Sequence, residues 1–205
     1  MKKTRSFPDS WEISTVGKTF NVIGGGTPST KVEEYWNGNI PWITSADIHG
    51  IKDIKPRKTI TITGIDNSAT NLVPENSLIV VTRVALGKIA ITDFPLCFSQ
   101  DSQALIPKTD AIYQKYALYY LSKEVKNFKY SGRGTTISGV TKKQLKDLIF
   151  VYPDKNEQVS IVEKIEELFS QLDAGVAGLK RAQTALKRYR ASVLKAAFEG
   201  RLVPQ

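Results

Sequence analysis

Three consecutive glycines followed by hydroxyl-bearing residues are the first feature of the sequence whose residue types could bind an anion. They open the segment GGGTPSTKVEEYWNGNIPWITSADI, Gly24–Ile48. A Walker loop requires Gly-Lys-Ser/Thr and a following helix, because its lysine must reach the terminal phosphates. Lys31 has no glycine before it and Pro28 interrupts any helical pattern, which excludes Walker and Rossmann loops. We interpret the glycines as a turn of close backbone approach, with Thr27, Ser29 and Lys31 as candidate contacts to DNA phosphates.

A second glycine-rich stretch carries more basic and hydroxyl side chains. It is SGRGTTISGVTKKQL, Ser131–Leu145, in which a loop leads into a short helix at Thr141. Hydroxyl groups, backbone amides and basic side chains in such loops suit DNA phosphates. The pattern is equally typical of a solvated connecting loop with Thr141 as helix N-cap, and both interpretations stay open. The candidate contacts in this stretch are Arg133, Thr135, Thr136, Lys142 and Lys143.

Two basic residues, Arg83 and Lys88, flank the tetrapeptide VALG between two strand-like runs. A hairpin tip that carries arginine and lysine could enter a DNA groove, and a solvated hairpin fits the pattern equally well. The nearby stretch SQDSQ contains Gln100 and Gln103, side chains that can in principle read adenine. Nothing in the sequence selects these two glutamines.

The sequence contains one cysteine, Cys97, and one histidine, His49, which limits the chemistry available. A single cysteine excludes an internal disulfide and a cysteine-rich metal site, and a lone histidine leaves zinc without further ligands. We therefore predict no catalytic residues and no metal site, and we expect His49 in a loop or on the surface. No apolar run is long enough to span a membrane, and no secretory signal follows the basic N-terminus. A cytoplasmic setting is expected.

The formal net charge of +9 and a pI of about 9.5 favour an anionic partner, of which nucleic acid is the commonest. Before Pro153 the chain alternates short β-type runs with turn residues, typical of a mixed domain that is mostly β. The runs are Thr59–Ile65, Ser77–Leu86 and Gly87–Phe98. One helical pattern, Ala111–Phe128, interrupts them.

After Pro153 the pattern changes to that of one long helix. No proline occurs between Asn156 and Glu199, and Gly200 is predicted to end the helix as a C-cap. A heptad pattern runs through about five repeats, and about 44 residues at 1.5 Å each give a helix of roughly 65 Å. The predicted dimer contacts are Ile161, Ile165, Leu168, Leu172, Leu179, Leu186, Tyr189 and Val193, here called the heptad stripe. The small residues Gly175, Ala182 and Ala196 lie in the same columns and permit close helix approach.

The charges along this helix are polarised. Acidic residues outnumber basic ones from Asp154 to Asp173, and the balance reverses from Ala174 onward. This arrangement suits the helix dipole and favours an antiparallel partner, because each acidic half then lies against a basic half. An ordinary amphipathic helix on the domain surface is the alternative, and the length argues against it.

Four segments, taken together and in order, resemble one protein family. They are SWEISTVGK, GGGTPST with YWNGNIPWITSADI, GTTISGVTKKQLKDLIFVYPDKNEQVSIVEKIEELF, and LKRYRASVLKAAFEGRLVPQ. They are similar to the specificity subunit of type I restriction–modification systems, and the resemblance covers nearly the whole chain. It implies a target recognition domain that reads half of a split double-stranded DNA site, followed by a conserved helix that pairs antiparallel. It also implies docking of methyltransferase subunits, and a restriction subunit, on the assembly. The chain itself would need no cofactor, since methyl donor and ATP would belong to the partners.

The usual family member carries two recognition domains and two helices, whereas this chain has one of each, and it is either a natural half-subunit or a truncated piece. We expect an α+β fold with a β-rich recognition domain at 1–152 and a spacer helix at 153–205 forming an antiparallel coiled coil as a homodimer. The rival hypothesis is a coiled-coil adaptor whose β-rich head binds protein. A stand-alone nuclease or methyltransferase lacks a catalytic cluster.

Overall fold

The computed structural model describes residues 7–131 and 139–202. The chain divides into two compact units, residues 1–160 and 161–205. The first unit holds all the strands, and the fold is α+β with a β-rich domain and a long C-terminal helix, as the sequence predicts. The five helices of the described residues are α1 Val16–Thr19, α2 Ile62–Asp66, α3 Gln114–Ser131, α4 Lys142–Lys146 and α5 Lys155–Phe198.

Four strands form the largest sheet, an antiparallel one with the order β2-β10-β7-β8. They are β2 Phe20–Gly24, β7 Leu78–Val81, β8 Ile89–Ile91 and β10 Ser102–Pro107. A three-stranded sheet has the order β6-β3-β9, with β3 Trp36–Ile43, β6 Lys58–Ile60 and β9 Cys97–Phe98. Two small sheets pair β1 Glu12–Thr15 with β11 Ile149–Tyr152 and β4 Ile48–Gly50 with β5 Asp53–Ile54.

The two larger sheets share one apolar core, because buried side chains of both meet in a single cluster. Ile79, Val81 and Ala104 of the four-stranded sheet lie there with Ile43 and Phe98 of the three-stranded sheet. A second apolar region is aromatic, with Phe20 and Phe150 in edge-to-face contact at 5.2 Å between ring centroids. Burial of these side chains holds both sheets in fixed positions and so fixes where their loops emerge.

Part of the predicted strand Thr59–Ile65 is helical, and that prediction is wrong. Strand β6 ends at Ile60, and α2 begins at Ile62, where the Thr61 hydroxyl accepts the amide of Gly64 at 3.1 Å. The threonine cap satisfies a backbone amide at the start of the helix, and this local bond competes with pairing of the segment as a strand. The run of β-branched residues predicted a longer strand, because strand propensity takes no account of a capping hydrogen bond.

Helix α5 begins close to Pro153, and its first turn is tied to the β-rich unit by Gln158. The fully buried Gln158 side chain donates to the carbonyls of Ala111 and Pro153, each at 2.9 Å, and accepts the amide of Tyr113 at 2.9 Å. At the other end Gly200 adopts φ 70°, which confirms the predicted C-cap. The structure confirms the long helix, and its pairing as a coiled coil stays a prediction.

Candidate nucleic-acid interface

Three connecting segments meet at the same end of the four-stranded sheet, and a fourth segment contacts them. Gly24 at the end of β2 pairs with Gln103, and Val81 at the end of β7 pairs with Ser102, so the chain segments beyond these residues are neighbours. Val140 joins them, since its amide donates to the Thr82 carbonyl at 2.7 Å. We call this region the loop edge. It consists of Gly25–Lys31, Thr82–Lys88, Ser99–Asp101 and Gly139–Val140.

Two glycines of GGGTPST, Gly25 and Gly26, lie where backbones pass in close contact. The Gly26 amide donates to the Phe98 carbonyl at 2.9 Å, and the Gly26 carbonyl accepts from the Trp42 indole at 3.0 Å. A side chain at Gly25 would lie 2.2 Å from the Ser99 carbonyl oxygen, and one at Gly26 would lie 2.4 Å from the Thr70 amide nitrogen. The predicted close approach is confirmed, because only glycine fits these contacts. A strand, β3, follows this segment after one 3-10 turn, in place of the helix that a Walker loop needs.

Thr27 and Ser29 are exposed residues of the loop edge, and exposed Lys31 follows them. The Thr27 hydroxyl donates to the Gln100 side-chain oxygen, which joins the glycine segment to the SQDSQ stretch. The Ser29 carbonyl accepts from the Trp36 indole at 3.1 Å, which holds this loop against β3. These three side chains are therefore available to a ligand at the loop edge, and their contact with DNA stays a prediction.

Gln103 lies at the beginning of the neighbouring strand, with its amide group 3.8 to 3.9 Å from where a side chain at Gly24 would begin. Within the described residues, the Gln103 amide oxygen and the Ser99 hydroxyl oxygen are buried without a hydrogen-bond partner. Gln100 differs, because it is exposed and bonded to Thr27. Of the two glutamines, Gln100 is thus the more exposed one, and a contact of either with a base stays untested.

The turn between β7 and β8 carries Arg83 at its base. The amides of Thr82 and Arg83 donate to the Asp101 carbonyl at 2.8 and 3.0 Å, and Gly139 lies against Arg83 so closely that a side chain there would meet its Cγ at 2.6 Å. At the tip, Val84 and Ala85 adopt φ 33° and 56°, left-handed values that L side chains rarely take. The exposed Arg83 side chain is thus presented by a turn that is held at its base.

Lys88, at the other side of this turn, has a structural role. Its Nζ donates to the carbonyls of Ser45 and Ile48 at 2.8 and 2.7 Å. Ser45 begins the 3-10 turn Ser45–Asp47 that follows β3. Lys88 therefore holds that turn against the loop edge, and a contact between Lys88 and DNA stays a prediction.

The third predicted segment is only partly described. Arg133, Thr135 and Thr136 lie outside the described residues. The predicted cap at Thr141 is confirmed, because its hydroxyl accepts the Gln144 amide at 3.2 Å and starts α4. The exposed side chains of Lys142 and Lys143 occupy the first turn of this helix. They stand two and three residues after Val140, so chain connectivity keeps their Cα atoms within about 11 Å of the Val140 Cα atom.

Sequence reasoning missed one residue pair, Asp47 with Arg57. The Asp47 carboxylate is buried and accepts from Arg57 Nε at 2.5 Å and from the Thr44 amide at 2.8 Å. Burial alone raises the pKa of Asp47, but the Thr44 and Arg57 hydrogen bonds outweigh it, so that the pKa lies below its usual value. The signal available in the sequence was the acidic residue three positions after Thr44, a capping-box spacing.

The single cysteine and the single histidine lie in different environments. Burial raises the pKa of the Cys97 thiol to about 11, so this cysteine is a protonated core residue at neutral pH. His49 is exposed on β4, as expected of a surface histidine. Among residues 7–131 and 139–202, no group of three or more His, Cys, Asp or Glu side chains could hold a metal ion. Within the same residues, none of the helices has the length and hydropathy of a membrane span.

Comparison with known proteins connects this architecture to restriction–modification. Residues 8–178 match the family described as type I restriction modification DNA specificity domain. The type I restriction enzyme MjaIX specificity subunit of Methanocaldococcus jannaschii is 30% identical over 195 residues, which cover 92% of this chain and 44% of that protein. The EcoR124I/EcoR124II specificity subunit of Escherichia coli is 30% identical over 177 residues, covering 83% and 44%.

Solved structures share the fold. The HsdS subunit from Thermoanaerobacter tengcongensis superposes with a TM-score of 0.68 at 24% identity, covering 98% of this chain and 48% of that one. A second solved chain comes from work on complex assembly and conformational transition of the type I R-M system. It superposes with a TM-score of 0.75 at 22% identity, covering 98% of this chain and 49% of that one. The family match and the two curated relatives define the class, that of restriction–modification specificity proteins. The chain belongs to the type I restriction–modification DNA specificity family, and it spans about half the length of the curated relatives it matches.

Proposed function

We propose that this chain is a DNA sequence-specificity component of a type I restriction–modification complex, in which it recognises one half-site of a bipartite double-stranded target. The observation that carries the proposal is the family match, which spans residues 8–178 and so includes the loop edge and the N-terminal half of α5. The chain would be non-catalytic and cytoplasmic. Methyltransferase and restriction subunits would supply the chemistry, together with the methyl donor and ATP.

The geometry of the loop edge supports this role. Segments that are distant in sequence meet there through the contacts of Thr27 with Gln100 and of Arg83 with Asp101. Loops held at the end of a rigid sheet can present side chains to a groove in fixed register. The basic balance of the chain adds long-range attraction to a polyanion.

Helix α5 supports a second part of the proposal, antiparallel pairing of two copies. Most of the heptad stripe is exposed, with Leu179 at 72% and Tyr189 at 67% of their full accessible surface. A long helix with such a stripe gains most of its stability from a partner surface. Two-fold pairing would present two identical half-sites in inverted order, with the helices as spacer and as docking surface for methyltransferase subunits.

The decisive experiment is a methylation map of DNA from cells that express this chain with the methyltransferase subunit of its own system. A split, inverted-repeat methylated sequence is expected, because a symmetric dimer would read the same half-site twice. A split but asymmetric sequence would mean that a different second half completes the complex. An absence of new methylation, with the methyltransferase shown to be active beside another specificity subunit, would contradict the proposal.

The exposed heptad stripe of α5 also fits the rival hypothesis, a coiled-coil adaptor with a protein-binding head. Ionic strength separates the two. Binding to DNA through several phosphate contacts should weaken by orders of magnitude between 50 and 200 mM salt, because counterions are released. A protein-binding head that buries apolar surface would show a weak salt dependence.

A further inference from the structure

An open groove of about 360 Å³ is joined to the 3-10 turn Ser45–Asp47, because its lining residue Arg57 bonds to Asp47. Its lining residues are Trp36, Asn37, Pro56, Arg57, Lys58 and Thr59. At one wall the strand pairing shifts register, because Trp36 and Ile40 both pair with Ile60. Neither basic residue of this groove is among the predicted contacts from sequence.

Arg57 is fixed in orientation although most of it is exposed. Its side chain is 67% exposed, and its Nε donates to the Asp47 carboxylate, of which 4% is exposed. Asp47 is itself held by the Thr44 amide and hydroxyl, each at 2.8 Å. Within the described part of the chain, the terminal Nη nitrogens of Arg57 donate to no group. A buried carboxylate therefore anchors one edge of the guanidinium and leaves the bidentate edge to solvent.

Lys58 adds a second cation to the groove. Its Nζ lies 5.1 Å from the centroid of the Trp36 ring, a cation–π distance, and the ring positions the ammonium without neutralising it. The strand passes close to its neighbour here, because a side chain at Gly38 would lie 2.4 Å from the Ile60 carbonyl oxygen. Two basic residues thus line one groove, and each side chain is held by a neighbour.

We propose that this groove clamps a backbone phosphate of DNA next to the half-site, with Arg57 Nη1 and Nη2 and Lys58 Nζ as the donors. A fixed guanidinium edge matches two phosphate oxygens, and two cations suit an anion better than a base edge. The clamp contributes affinity and orientation, while sequence is read at the loop edge. The inference depends on the proposed DNA-binding function and extends its contact surface beyond the predicted residues.

The test measures DNA binding by the full chain in its methyltransferase complex as a function of salt. Lys58→Ala, which leaves the Asp47–Arg57 bond intact, should weaken binding severalfold for target and non-target DNA alike. It should also lower the slope of log K against log salt by about 0.9, the value for one lost phosphate contact. Arg57→Gln should do the same. Lys55→Ala is the matched control, because it removes the same charge from a residue outside the groove that pairs with Asp53 at 3.5 Å.

Three outcomes would overturn the inference. Wild-type affinity and salt slope in both Lys58→Ala and Arg57→Gln would make the Asp47–Arg57 pair a structural tie, visible only as a lower melting temperature. A changed methylated sequence in Arg57→Gln would make this arginine a base reader. An equal loss of DNA affinity in Lys55→Ala would mean that the effect comes from the net charge of the chain and not from this groove. If the wild-type complex itself does not bind DNA, the proposed function fails, which these variants do not decide.

Discussion

At Gly26 the chain depends on the absence of a side chain, because the backbone of Ala69 and Thr70 lies directly against the glycine. Gly24, two residues earlier, looks the same in the sequence but faces the Gln103 side chain at an ordinary contact distance of 3.8 Å. The sequence predicted close approach for the whole triplet. It could not say which glycine is indispensable, because that depends on strands paired far along the chain.

Gly26→Ala should therefore destabilise the fold by about 1 to 3 kcal/mol, the usual range for overpacking against a backbone that cannot move freely. Gly24→Ala is the matched control and should change the free energy of unfolding by less than about 1 kcal/mol. Urea unfolding of both variants measures the difference. Equal effects would mean that the glycine triplet is needed for flexibility and not for room.

Asp47 makes stability depend on pH. Its pKa is lowered in the folded chain. The ionised carboxylate therefore adds to the free energy of unfolding above the unfolded pKa of about 3.9, and this contribution is lost as pH falls through the folded pKa. Asp47→Asn should lower the free energy of unfolding at pH 7 by about 1 to 3 kcal/mol, typical of hydrogen bonds to a charged group. The difference should shrink towards pH 3.

The control for this pH dependence is Asp53→Asn. Asp53 pairs with Lys55 in solvent, and such exposed pairs contribute little. Its unfolding free energy should therefore follow the wild type across the pH range. A difference between Asp47→Asn and the wild type that persists unchanged below pH 3 would contradict the charge-based explanation.

At the scale of elements, composition predicted the long helix and its cap at Gly200, because an uninterrupted helical pattern needs no tertiary information. The strand prediction failed at Thr59–Ile65, where one threonine cap replaced a strand with α2. The gathering of the loop edge and the Asp47–Arg57 pair were out of reach, since both depend on strand order. Within α5, the chain alone gives no reason for its two glycines, because a side chain at either would touch nothing within 4 Å.

Gly175→Ala and Gly178→Ala form a pair that separates the needs of the chain from those of a partner. Each should raise the helicity and stability of the isolated chain by about 1 kcal/mol, the difference in helix propensity. Gly175 shares a column of the heptad stripe, so only Gly175→Ala should weaken self-association, because close helix approach is lost. Sedimentation over a concentration series measures the self-association of both variants. Equal association of the two variants would remove Gly175 from the interface.

For the whole molecule, the proposal requires that the apolar side of α5 be covered in the active assembly. Leu179→Asp should split the proposed dimer, because it would bury an unpaired charge between the helices. Light scattering of the purified chain should then give half the wild-type mass, with an unchanged melt of the β-rich unit. An unchanged mass would contradict the assigned heptad register.

The buried Cys97 makes the direction of helix pairing measurable. It is the only thiol of the chain and lies in the apolar core with a raised pKa. Reagents that label cysteine should therefore not react with it in the folded chain. A cysteine introduced at exposed Ser170, Thr184 or Ala191 would then carry a spin label alone. In a parallel pair the label-to-label distance would stay constant along the helix. In an antiparallel pair it would grow towards either end, and three labelled variants would read the topology without a crystal.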